Sequence, residues 1–452
     1  MRQHQRALLQ APHLRGRGRR RQLRACRQDV LRRGVLRRAN IQAGQGGDGR
    51  ISRQGRAGQG RAWRGRAWQG GAAVVVVLVF TLLFGFKKRP KNAPPNAYLG
   101  LPVVGNYIEF AKNPVDFIAR CLDKFGAIYT VPMLHKNLTF LLGPEVSAPF
   151  FRLNDDFMSQ PEVYGFMTPV FGKGVVYDAE PKKRTQQYQS MAQGLRAQRL
   201  KAYVPKIEKE TLEYFKEKWG ASGTVNILDA LSELTILTSS RCLHGDDVRE
   251  NMFGEVARIY HDLDKGVTPL SFFFPYAPTE AHRMRDAARK EMVAIFSKVI
   301  QTRKEKGVDS SESTDILQIF IDMEYKDGTK LTVDEIVGLL IALLFAGQHT
   351  SSITSTWTSM FLAHNPRCLA EVLKEQNEVL GDNNKDVPLN FDTVSKMEYL
   401  QNCVKESLRM YPPLIMLMRM AMQDITTTLN GKEYIIPKVT GRTGSRRCPL
   451  PS

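Results

Sequence analysis

The run Ala346-Gly347-Gln348-His349-Thr350-Ser351 places an imidazole, an amide and two hydroxyls side by side inside a stretch, residues 334–366, that is otherwise almost wholly apolar. Buried hydrogen-bonding groups are costly unless they are partnered or used. An imidazole gains and loses protons near neutral pH, so His349 is suited to relaying them. Thr350 adds a hydroxyl that opens a groove if it turns inward instead of bonding the carbonyl four residues back. Gly347 lets a ligand approach the backbone. Proton delivery to a bound group is the chemistry on offer; a satisfied structural patch is the plainer alternative. Further along, Glu406 and Arg409 in KESLRMYPP stand three apart on one helical face and can pair, as ordinary helical ions do. Arg419 is a lone cation in the apolar segment PLIMLMRM (413–420) and wants an anionic partner. The six cysteines (Cys26, Cys121, Cys242, Cys368, Cys403, Cys448) contain no CxxC pair, which fits neither a disulfide framework nor a zinc site.

The elements that must position these groups are mostly helices. Thr332 followed by Glu335 forms a capping-box signature, and Asn365-Pro366 closes the same helix. Being apolar on almost every face, that helix should run through the centre of the fold. Long amphipathic helices are predicted around 200–219, 224–243, 281–305, 333–364 and 396–410, with short strands at 126–132, 137–142 and 432–437. The helix carrying Glu406 and Arg409 stops at Pro412-Pro413, after which PLIMLMRM is predicted as a strand. The fold class is mainly α, of the α+β kind.

Charge divides the 452 residues sharply. Residues 1–70 hold 19 arginines, no lysine and only Asp29 and Asp48, a net of +17, which leaves +3 for the remaining 382 residues. A nearly neutral body excludes a nucleic-acid binder as its main role. Residues 1–69 have too few apolar residues to fold alone and are predicted to be disordered. A transit peptide, an RNA- or lipid-binding tail and a dispensable extension all remain open for them. Residues 70–88, containing GGAAVVVVLVFTLLFGF and a basic stop, are predicted to be a membrane anchor, at the short end of spanning length. Residues 89–105 are a Pro-rich linker expected to lift the body off the membrane. Residues 106–438 form the body, and 439–452 a divergent tail.

AGQHTS on a central helix, then Glu375-Gln376, then ExxR before a proline turn resembles the cytochromes P-450. TPVFGKGVVYD (168–178), IEKETLEYF (207–215), LSELTILTSSRCLHG (231–245), YHDLDKG (260–266), AGQHTSS (346–352) and RMYPPLIMLMRMA (409–421) resemble the sterol 14α-demethylases among them. The resemblance runs from about residue 98 to 438. It implies the P-450 fold, a haem cofactor, a sterol substrate, an NADPH-dependent reductase and an endoplasmic reticulum membrane location with the catalytic domain cytoplasmic. It also implies that Thr350 and His349 lie over the haem and deliver protons, and that Arg419, Tyr177 and Tyr164 bond its propionates. Thr168, Phe171, Leu414 and Met416 would line the sterol pocket, with Glu406 and Arg409 in the structural core.

Two departures stand out. The helix after Tyr177 lacks the basic residue the family usually turns towards the haem, for which Arg184 is a substitute. After IIPK (435–438) only VTGRTGSRRCPLPS follows, in which Gly444, Arg446 and Cys448 reproduce the G-x-[HR]-x-C part of a haem-cysteine loop. The chain is therefore expected to be C-terminally truncated, with Cys448 a weak ligand candidate. A haemless sterol-binding or inactive isoform is the alternative to an active monooxygenase.

Overall fold

The computed structural model describes residues 89–99, 104–219, 222–308, 315–381 and 387–439. The predicted extension 1–69, the anchor 70–88 and all of the tail but Val439 lie outside the described residues. Numbering the helices of nine residues or more, α1 is Val104–Lys112, α2 Pro114–Phe125, α3 Pro144–Arg152, α4 Pro181–Gly194, α5 Ala197–Tyr214 and α6 Ile227–Ser239. They continue with α7 Phe253–Lys265, α8 Glu280–Lys306, α9 Val333–His364, α10 Pro366–Leu380 and α11 Glu398–Met410. Six short strands form three antiparallel pairs: β1 (Ile128–Met133) with β2 (Lys136–Leu141), β3 (Met158–Ser159) with β4 (Met420–Ala421), and β5 (Ile425–Leu429) with β6 (Lys432–Ile436).

Helix α9 is the axis of the body. Its Thr332 side chain accepts from the Glu335 backbone while Glu335 reaches back, so the predicted capping box is present. From Ile336 to Phe345 it is apolar all round, and Ile336, Val337, Leu339, Leu340, Ile341 and Leu344 are buried. Helices α6, α8 and α11 pack against it. Among the described residues it is the one helix long and apolar enough to cross a membrane; half of its most apolar stretch is buried in the fold, as befits a core helix. The helix runs unbroken through Ala346–Ser351, because the polar groups there find partners without opening it.

The Phe171–Tyr177 loop is fastened to α9 and α8. The Arg289 guanidinium donates to both Asp334 oxygens, at 2.8 and 3.0 Å, and to the Phe171 carbonyl at 3.0 Å. Gly172, at φ 103°, leaves the space that guanidinium fills. Val176 adopts φ 48°, a strained conformation for a β-branched residue. Its N–H is held at 2.9 Å by the buried Gln187 side chain, which also donates to the Tyr325 hydroxyl.

One predicted strand differs. PLIMLMRM is irregular except at its end, where β4 pairs with β3 in the register Met158↔Ala421; among the described residues the rest has no neighbouring strand to supply a ladder. The linker segment 89–99 lies along β1, with the Ala97 N–H donating to the Thr130 carbonyl at 2.7 Å and the Thr130 N–H to that of Pro95 at 2.8 Å.

Candidate functional site

Tyr164, Tyr177 and Arg419 are separated by up to 255 positions in the chain and converge in space. The rings of Tyr164 and Tyr177 stack at 4.8 Å and 18°. The Met418 backbone lies close enough to the Tyr164 phenol to lower it against burial, which brings the segment carrying Arg419 beside the pair. Burial pushes both phenols up, Tyr177 to about 12, so both stay protonated donors. Arg419 donates to the carbonyls of Phe150 at 2.7 Å and Leu153 at 2.8 Å and to Asp155 at 3.1 Å, while its buried Nε has no partner.

An aromatic wall leads from this cluster to α9. Tyr177 meets Phe171 at 6.3 Å, Phe171 meets Phe345 edge-on at 6.0 Å, and Phe345 touches Tyr260 at 5.1 Å and His349 at 6.5 Å. The predicted polar patch ends the wall. His349 Nε2 lies 2.8 Å from Asp264 Oδ1 on α7. That hydrogen bond holds the imidazole above its ordinary range, outweighing partial desolvation. Gln348 is buried, and the Tyr260 hydroxyl faces its oxygen at 3.5 Å. Thr350 does not turn inward: its hydroxyl donates to the Ala346 carbonyl at 2.6 Å, the helical alternative to opening a groove. Ala346 is exposed and Gly347 and Thr350 are half-buried, so this side of α9 faces open space.

The remaining predicted residues divide. Phe171 is buried in the wall, and the Thr168 carbonyl receives the Gly172 N–H at 2.8 Å, closing the short turn that carries Phe171. Met416 packs on the β1 side with Phe273, whereas Leu414 is 63% exposed. Glu406 and Arg409 pair through two bonds of 2.7 and 2.8 Å, as predicted, but with exposed side chains rather than in the core. Helix α11 is amphipathic and buries Ser407 on its other face, which leaves the pair outward. Sequence reasoning missed Asp264, Phe345 and Asp155; Asp264 lies within YHDLDKG, whose two acids were the available signal. Cys448 lies outside the described residues, and among those residues no cluster of three or more His, Cys, Asp or Glu is placed to hold a metal ion.

The cytochrome P450 family pattern matches residues 94–441. The chain belongs to the cytochrome P450 family. It is 45% identical over 373 residues to an obtusifoliol 14-alpha demethylase of Sorghum bicolor, covering 81% of this chain and 74% of that protein. It is 42% identical over 351 residues to a lanosterol 14-alpha demethylase of Mus musculus, covering 76% of this chain and 69% of that one. A retinoic acid-bound cyanobacterial CYP120A1 shares the fold, with a TM-score of 0.65 at 22% identity over 76% of this chain and 75% of that one. This P450 is thus similar to the sterol 14-demethylases, and family membership implies haem. The residues present fit such a group at its edge and one wall: two protonated phenols and a guanidinium suit carboxylate substituents, and the aromatic wall suits a flat apolar body.

Proposed function

We propose that the chain is a haem-thiolate monooxygenase that removes the 14α-methyl group of a sterol by successive oxidations. In this reading an NADPH-dependent reductase supplies electrons, and the protein works at the endoplasmic reticulum membrane with its body in the cytoplasm. The observation that carries it is the continuity of the Tyr164–Tyr177–Arg419 donor cluster, the aromatic wall and the His349–Thr350 pair. The likeness to obtusifoliol and lanosterol demethylases supports a sterol as substrate.

Haem, when bound, supplies the oxidising chemistry, and the chain's own residues position it and manage water and protons. Arg419, Tyr177 and Tyr164 would hold its anionic edge. Phe171 and Phe345 exclude water from one side of the pocket, while Thr168, Met416 and Leu414 bound the sterol. His349, its proton affinity raised by Asp264 at 2.8 Å, is placed to pass a proton towards the open side of α9. The Thr350 hydroxyl, its hydrogen engaged by the Ala346 carbonyl, has its lone pairs free to accept a hydrogen bond on that side. Glu406 and Arg409 are proposed as structural residues of α11.

The reduced, carbon-monoxide difference spectrum of the purified full chain tests this reading, followed by turnover of lanosterol and obtusifoliol. A red-shifted Soret band lost on Cys448→Ala, with release of the 14-demethylated sterol, is the expected result. Sterol binding without any haem signal would replace it with a haemless sterol-binding protein.

A further inference from the structure

Phe171 is the middle ring of the aromatic wall, between Tyr177 and Phe345, yet its own turn is too small to fix it. Its helix, Thr168–Phe171, is four residues long, and a single turn is not stable by itself. The loop that follows holds Val176 at φ 48°, which a β-branched residue keeps only when its surroundings impose it. Two fastenings do so. At the far end the Gln187 side chain accepts from the Val176 N–H and donates to the Gly174 carbonyl and the Tyr325 hydroxyl. At the near end the Arg289 guanidinium on α8 donates to the Phe171 carbonyl at 3.0 Å and to both Asp334 oxygens. The Arg289 side chain is 14% exposed and its buried Nε has no partner among the described residues, so this clamp is the whole engagement of the guanidinium. Asp334 and Phe345 stand eleven positions apart on α9, about three turns, and so share one face of that helix. Gly338 lies between them on the same face, and the Phe171 carbonyl rests where its Cβ would be. One rigid helix thus carries both the anchor of Phe171 and the ring that Phe171 meets edge-on at 6.0 Å.

We propose that Arg289 and Asp334 are positioning residues of the sterol site: through the Phe171 carbonyl they set how far that ring stands from Phe345, and with it which sterol shapes fit the wall. This role rests on the reading of Phe171 as part of the sterol site, and extends that site to two residues that act from behind the wall. A ring anchored by its own carbonyl cannot retreat from an ill-fitting sterol, so misfit costs affinity. A released ring yields, and related sterols then bind more nearly alike.

Calorimetric titration of the purified full chain with lanosterol and with obtusifoliol, each carried in cyclodextrin, reads affinity without turnover and with or without haem. Arg289→Gln is expected to weaken binding of the better sterol about tenfold, the loss of one charge-assisted bond, and to bring the ratio of the two affinities towards one. Arg289→Lys keeps the charge but not the fork, and should fall between that variant and wild type. It takes the place of Arg289→Gln should the latter show no cooperative melt by circular dichroism. In a Phe171→Ala background the same substitutions should change neither quantity further, because the ring they position is gone. A pair that only braces the fold would lower the melting temperature and leave the affinity ratio where it was. That result in a folded variant, or losses that add in the double variant, overturns the positioning role and leaves the sterol reading standing. Failure of wild type to bind either sterol overturns the sterol reading, and the positioning role with it.

Discussion

His349 Nε2 and Asp264 Oδ1 lie 2.8 Å apart across the packing of α9 on α7, joining residues 85 positions apart in the chain. The pairing raises the imidazole above its ordinary value of 6.5. A raised folded-state value gives stability that is complete below 6.5 and lost as pH rises through the folded value. With the His349 side chain 44% exposed, that contribution is small, and the main consequence is a relay that stays charged at higher pH. Asp264→Asn should return the imidazole towards 6.5, read from its ring-proton NMR signals. His349→Ala should lower sterol turnover by about 10²-fold. An imidazole that titrates at the same pH in both proteins would remove Asp264 from the relay.

Two glycines of α9 predict opposite outcomes. A Cβ on Gly338 would overlap the Phe171 carbonyl oxygen and press on Val175, and neither the fastened loop nor the helix can yield cheaply. Gly338→Ala should therefore destabilise the fold by about 1–3 kcal/mol and displace Phe171 from the wall. A Cβ on Gly347 meets only the Ser239 hydroxyl, at 3.8 Å. Gly347→Ala should leave the melting temperature unchanged or raise it, because alanine favours helix. Thermal unfolding of the two variants side by side checks the contrast.

What the sequence disclosed follows the range of each interaction. The ends of α9 were legible because Thr332–Glu335 is a local device, and the predicted helices at 281–305 and 396–410 appear as Glu280–Lys306 and Glu398–Met410 for the same reason. The fate of PLIMLMRM depends on a partner strand more than 250 residues away, and its alternation could not reveal that only Met420–Ala421 would find one. Thr350 offered a hydroxyl that would open a groove if it turned inward. In the fold, Asp264 and Tyr260 engage His349 and Gln348, so the Thr350 hydroxyl has no cause to leave the Ala346 carbonyl. Arg419 needed an anion, as predicted, yet that its partner would be Asp155, shared with Arg184, was set by tertiary packing alone.

The Glu406–Arg409 pair is bidentate but exposed, with 54% and 62% of the side chains open to water. Solvent screening limits such a pair to less than about 1 kcal/mol. Arg409→Ala should accordingly shift the urea midpoint of the purified chain only slightly. A loss of several kcal/mol would place the pair in a buried network instead.

His244 predicts how the protein responds to acid. The ring is fully buried, stands edge-on to Phe296 at 5.0 Å and leaves Nε2 without a partner, while its carbonyl accepts from Arg303 at 2.8 Å. Burial, helped by the charge of Arg303, pushes the imidazole down to about 3, against 6.5 when free. The folded protein therefore holds His244 neutral while the unfolded chain takes up a proton below 6.5. Stability from this residue is complete above 6.5 and is lost as pH falls from there towards 3. By pH 5 the loss amounts to about 2 kcal/mol. Urea unfolding at pH 7.5 and pH 5 should show that decrease in wild type and a smaller one in His244→Leu, whose side chain of similar volume cannot titrate. An equal decrease in both proteins would assign the acid sensitivity to other groups.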